Sequence, residues 1–221
     1  MMIKSMIMAL CVLLTGCNGQ REMKTECDNS VIVNETKICL PKLKGFTDVS
    51  NNNNYDDFKT VFEKPDNKII GFYVENSALN KVEKPKYNFA LIYVNSKLQK
   101  NINLIEFKQI SKNMGSYFKK GDFWETIIKE VENNYLKNIS FDQPVLIDDY
   151  SLNSSVKTYL LLDKTFEAKK ETITLTTLNL MHIQDKMVLF NYIIKYNNSN
   201  SINEIKQKND YFTMRLLKLN E

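Results

Sequence analysis

Between Val156 and Ile194 the sequence repeats with a period of two, and no other stretch narrows the choice of fold as much. Residues 156–162, 173–183 and 187–194 form three runs rich in branched and aromatic side chains, the pattern of strands packed against a core. Gln184, Asp185 and Lys186 join the last two runs, a link too short for a crossover. The three strands are therefore expected to form an antiparallel meander.

The rest of the chain supplies strands and helices around that meander. Residues 68–74 and 87–94 read as two more strands, bounded by Pro65 and Pro85, with a helical turn over 76–82 between them. Val31-Ile32-Val33 and Thr36 to Leu40 predict a hairpin about Asn34-Glu35, and the run Asn51 to Asn54 predicts an exposed loop. The period then becomes helical. Phe107, Ile110, Met114 and Tyr117 share a face after an Asn103-x-x-Glu106 start, and Gly121 ends that helix. Asp122-x-x-Glu125 opens a second helix with Trp124, Ile127, Ile128, Val131 and Tyr135 on its apolar stripe. A final helix starts at Ser201-x-x-Glu204 and turns Ile205, Phe212, Leu216 and Leu219 toward a core. The sum is an α+β domain: a mostly antiparallel sheet of about six strands with helices packed against it. At 221 residues, 43% of them hydrophobic, the chain can bury one sizeable core.

The first residues point to a compartment. Lys4 is followed by an apolar run from Met6 to Leu14, too short to span a bilayer and matched to the apolar stretch of a secretory signal. Leu14-Thr15-Gly16-Cys17 then resembles the lipobox of bacterial lipoproteins. That resemblance implies removal of residues 1–16 and lipid attachment at Cys17. Residues 17–24 become a polar tether, and residues 25–221 the single α+β domain. Asn18, where some lipoproteins carry an Asp that retains them at the inner membrane, implies an outer membrane lipoprotein facing the periplasm. More than one acyl chain is needed for durable anchoring, and the lipoprotein pattern supplies it.

Cys11 leaves with the signal and Cys17 carries lipid, so Cys27 and Cys39 remain as an even pair in an oxidising compartment. A disulfide between them is expected. The hairpin register places Cys39 opposite Ser30, so Asp28, Asn29 and Ser30 must bend back to bring the sulfurs into range.

The order of elements, with early strands, a helical middle, a three-strand meander and a closing helix, resembles the Mog1/PsbP-like fold. The strand ending Ile38-Cys39-Leu40-Pro41 and the texture from Asn179 to Phe190 are similar to that family as well. The resemblance implies a binding or assembly protein and carries over no catalytic residue.

The residues themselves offer little for catalysis. Six scattered glycines make no phosphate-cradling loop. His182 is the only imidazole and reads as a structural strand residue. With His182 and two bonded thiols, no zinc site can be assembled, and no cofactor is expected. Asp56-Asp57 and Asp148-Asp149 are carboxylate pairs, but neighbours on a strand point to opposite faces. Tyr159, Tyr192 and Tyr196 are the tyrosines whose alternation could turn a hydroxyl outward. A net charge of +4, with only Arg21 and Arg215 as arginines, leaves no footprint for nucleic acid. These readings favour a non-catalytic, membrane-anchored lipoprotein that binds another envelope protein or assists its assembly. The alternatives are an immunity lipoprotein that neutralises a competitor's toxin and a hydrolase using dispersed carboxylates.

Overall fold

A computed structural model describes residues 27–63, 66–79, 87–95, 100–118, 144–167 and 170–221. The signal, Cys17, the tether and the helix expected from Asp122 lie outside the described residues. The first hairpin pairs β1 (Ser30–Val33) with β2 (Thr36–Cys39) in the expected register, Ser30 opposite Cys39. Asn34 and Glu35 both take positive φ, 43° and 66°, the twist that a two-residue turn needs to match its strands.

The main sheet has seven strands, all antiparallel, in the order β3-β4-β5-β9-β8-β7-β6. These are β3 (Phe46–Asp48), β4 (Asn67–Glu75), β5 (Phe89–Asn95), β6 (Val145–Asn153), β7 (Val156–Glu167), β8 (Lys170–Ile183) and β9 (Lys186–Lys195). The meander β7-β8-β9 is the one expected, with Lys186 already paired to Ile183 and only Gln184 and Asp185 in the turn.

Two strands were not expected. β3 has three residues, too few for a period, and β6 is bulged between Leu146 and Asp148 and again between Tyr150 and Asn153. Each bulge shifts the alternation by one residue and erases the signal. Both strands lie at sheet edges, and shortness, bulges and charge are ways of blunting an edge.

Helices cover both faces. On one side α4 (Asn200–Leu219) packs Ile205, Phe212 and Leu216 over Ile92, Phe190 and Tyr192, with Phe46 edge-on to Phe212 at 4.6 Å. On the other, α1 (Asp56–Phe62) stacks Phe58 on Phe72, centroids 5.4 Å apart. Beside it α3 (Leu104–Tyr117) sets Phe107 against Leu180 and Leu189. The short helix α2 (Asn76–Leu79) follows β4.

The start of α3 is the capping box read from the sequence. Asn103 Oδ1 accepts from the N–H of Ile105 and Glu106, and Glu106 accepts from the N–H of Asn103. The start of α4 differs. The helix begins at Asn200, and Ser201, buried inside its first turn, accepts from the N–H of Asn197 and Asn198. Its buried stripe runs Ile205, Asn209, Phe212, Leu216 and Asn220, so Leu219, one residue off that line, is only half-buried. Polar residues on the stripe hid its course.

Cys27 and Cys39 are joined by a disulfide, with Cα atoms 5.5 Å apart. Leu40 donates to Asn29 O at 2.8 Å, which extends the hairpin ladder one residue beyond Ser30, so the bend that brings Cys27 to Cys39 lies before Asn29. Asn220 then ties this hairpin to the end of α4: its side chain accepts from Cys39 N at 2.7 Å and donates to Cys39 O at 2.9 Å.

Candidate binding cleft

The residues with the most chemistry do not converge. Asp148 and Asp149 leave β6 on opposite faces. Asp148 meets Lys206 of α4 at 2.5 Å, while Asp149 meets Lys157 of β7 at 3.2 Å on the α3 side. The sheet separates them, so they cannot share a proton or flank one bond. Asp56 and Asp57 occupy the first turn of α1, where carboxylates oppose the helix dipole, and Asp56 pairs with Lys59 at 2.7 Å.

His182 is a structural residue. Its Nε2 donates to Ile102 O at 2.5 Å, its ring lies 5.7 Å from that of Phe107, and Asp185 stands 3.6 Å away. Ile102 in turn donates to Asp185 O. Together these contacts fasten the entry of α3 to the β8-β9 turn.

The three tyrosines whose alternation could turn a hydroxyl outward are all buried: Tyr159 at 1%, Tyr192 at 0% and Tyr196 at 7% exposure. Helices cover both faces of the sheet, so alternation along a strand selects which helix a side chain meets, not whether it meets solvent. The exposed large apolar residues among those described are Ile32, Ile105, Tyr211 and Met214, scattered over the hairpin, α3 and α4.

What the fold does assemble is a cleft of about 570 Å³ between α3 and the β6-β7 hairpin. Tyr159 of β7 forms its floor, 1% exposed, while Val156 turns its side chain to the α4 side of the sheet. Lys108, Ser111 and Lys112 of α3 line one wall, and Asp149 and Lys157 lie across from them.

Tyr159 holds the cleft together. Its hydroxyl donates to Ser111 O and accepts from the backbone N–H of Gly115, so the phenol sits inside the hydrogen-bond ladder of α3. Burial, reinforced by the charge of Asp149 and opposed by the Gly115 hydrogen bond, pushes this phenol up to about 12. It stays protonated and keeps donating across the ordinary pH range. Gly115 permits the approach, since a Cβ there would lie 3.2 Å from Tyr159 Cε1.

Lys157 Nζ lies 5.5 Å from the centre of the Tyr159 ring and is countered by Asp149. Lys108 and Lys112 have no ion-pair partner among the described residues. Ser111 is 5% exposed, and its Oγ has no hydrogen-bond partner there. Sequence reasoning missed this pair of lysines. Their four-residue spacing was visible, but on a helix it looks the same as an ordinary solvated face.

Among the described residues no group of three His, Cys, Asp or Glu could hold a metal ion, and no helix is long and apolar enough to cross a membrane. A second hollow of about 600 Å³ lies by Asp48 and Asn51 to Asn53. Its carboxylate is already engaged by Asn29 and Ser50.

No family model matches the chain, and no curated protein matches it. Among solved structures it is similar to the Saccharomyces cerevisiae Ran-binding protein Mog1p, at 12% identity over 87% of this chain and 91% of that one, with a TM-score of 0.34. It is also similar to a mutant of protein Mog1, at 12% identity over 87% and 88% of the two chains, with a TM-score of 0.31. The α+β class stands on the sheet and helices themselves, and no residue role is carried across.

Proposed function

We propose that this chain is a lipoprotein anchored to the outer membrane through Cys17, facing the periplasm, that binds or helps assemble another envelope protein without catalysing a reaction. The anchor rests on the apolar run before Leu14-Thr15-Gly16-Cys17. The observation that carries the non-catalytic reading is the division of Asp148 and Asp149 between two faces, each held by a lysine. This carboxylate pair is thereby committed to holding a helix on one side and a cleft wall on the other.

The test is crosslinking in intact cells, then purification from membranes and mass spectrometry of the N-terminal peptide, for the natural chain and for Cys17→Ser. The expected result is an acylated Cys17 and one stoichiometric envelope protein, both lost in Cys17→Ser. An unmodified Cys17, or membrane residence that survives Cys17→Ser, overturns the anchor. A turnover abolished by single Asp or Glu substitutions overturns the non-catalytic reading.

A further inference from the structure

We infer that the cleft between α3 and the β6-β7 hairpin binds a small molecule with a compact dianionic head and an apolar arm. The charge balance sets the head. Lys157 is matched by Asp149, whereas Lys108 and Lys112 on the facing wall have no ion-pair partner among the described residues. Residues four apart on a helix are neighbours on its surface, and like charges there repel. The arrangement is relieved when one anion takes hydrogen bonds from both ammonium groups, each a mobile point charge able to follow a phosphate or carboxylate oxygen.

Ser111 lies between the two lysines in sequence and on the same wall. Its hydroxyl, buried and without a partner among the described residues, is a donor that an anion's oxygen can satisfy. Phe107 and Tyr159 provide the apolar surface for the arm.

The volume, about 570 Å³, lies within the range of small-molecule sites, and a concave pocket with a sealed apolar floor and a few convergent polar groups is their usual form. A protein partner would more commonly be met by a broad surface with aromatic anchors. This inference is independent of the proposed partner and of the lipid anchor.

The test uses the full chain in detergent, titrated with phenyl phosphate and separately with benzylmalonate by isothermal calorimetry. These two arms distinguish a phosphate head from a dicarboxylate. Saturable one-to-one binding of at least one probe is expected. Lys108→Gln with Lys112→Gln should weaken it by about tenfold or more, the loss expected for charge-assisted hydrogen bonds. Lys44→Gln with Lys218→Gln, two exposed lysines elsewhere, should leave affinity unchanged.

Ser111→Ala separates function from structure. The unliganded variant should melt at the same temperature or higher, because a buried unpartnered hydroxyl is gone, while the probe-induced rise in melting temperature shrinks. No saturable binding of either probe overturns the inference. So does an unchanged affinity in the Lys108/Lys112 variant, an equal loss in the control variant, or an acidic peptide that requires Lys108 and Lys112 where both probes fail.

Discussion

The contact between Gly115 and Tyr159 shows how one residue's missing side chain positions another. Alanine in place of glycine within a helix is ordinarily worth about 1 kcal/mol. Here the added Cβ meets a buried ring whose hydroxyl donates to Ser111 O and accepts from Gly115 N–H, and which also contacts Phe118, centroids 5.3 Å apart. Gly115→Ala should therefore fail to stabilise the protein, and in a Tyr159→Leu background it should stabilise by about 1 kcal/mol. A double-mutant cycle in urea measures that coupling. Tyr159→Phe alone should cost less than about 1 kcal/mol, because the freed Ser111 O and Gly115 N–H can pair with each other.

The same tyrosine carries a pH prediction. Tyr159 and Tyr93 are both pushed up to about 12. Burial leads in each case, with the Asp149 charge adding to it for Tyr159 and an Asn191 hydrogen bond opposing it for Tyr93. The native state holds protons that the unfolded chain releases near pH 10. This stabilisation is complete below pH about 10 and is lost as pH rises through about 12. Urea midpoints measured at pH 8, 10 and 11, with tyrosinate absorbance followed alongside, should fall only at the upper end. A midpoint that is flat to pH 11 would sink the argument. None of this residue-scale detail was legible in the sequence, where Tyr159 showed only its alternation and nothing indicated which helix would lie over it.

At the scale of elements, α4 is held by a buried polar network as well as by apolar packing. Asn209, fully buried, exchanges hydrogen bonds with Asn179 of β8, accepts from Thr177 at 2.7 Å, and donates toward the hydroxyl of Tyr150 in β6. Asn179 also accepts from Thr158 of β7 and donates to Phe190 O of β9. One helix residue thus connects four adjacent strands. Asn209→Ala would strand several buried groups at once and should cost about 3 kcal/mol in chemical denaturation. A cost below about 1 kcal/mol would show that water fills the network.

Elements were readable where a period ran unbroken. The meander is rich in branched and aromatic residues throughout, and α3 carries a complete capping box. β6 lost its period to two bulges, and the stripe of α4 was obscured because Asn209, Thr213 and Asn220 occupy buried positions that a hydrophobic pattern passes over. The cleft was illegible for a different reason. Its two walls come from segments separated in sequence by residues 119–143, and only the tertiary fold sets Lys108 and Lys112 opposite Asp149.

For the molecule as a whole, the disulfide cross-links the start of the described chain to the end of β2 in the sheet's companion hairpin. Reducing it should lower stability by roughly 3 kcal/mol in the chain-entropy account for a loop of this size. Urea unfolding with and without reductant measures this, and a Cys27→Ser, Cys39→Ser variant should reproduce the loss without reductant. The hairpin should keep part of its order after reduction, because Asn220 grips Cys39 through both backbone groups independently of the sulfurs. That grip also determines how the fold bears load. A pull applied at Cys27 passes through the disulfide to Cys39, then to Asn220, and enters the molecule at the end of α4. The two ends of the described chain are yoked at one point, so tension there is borne by a helix packed on β8 and β9 instead of peeling one strand from an edge.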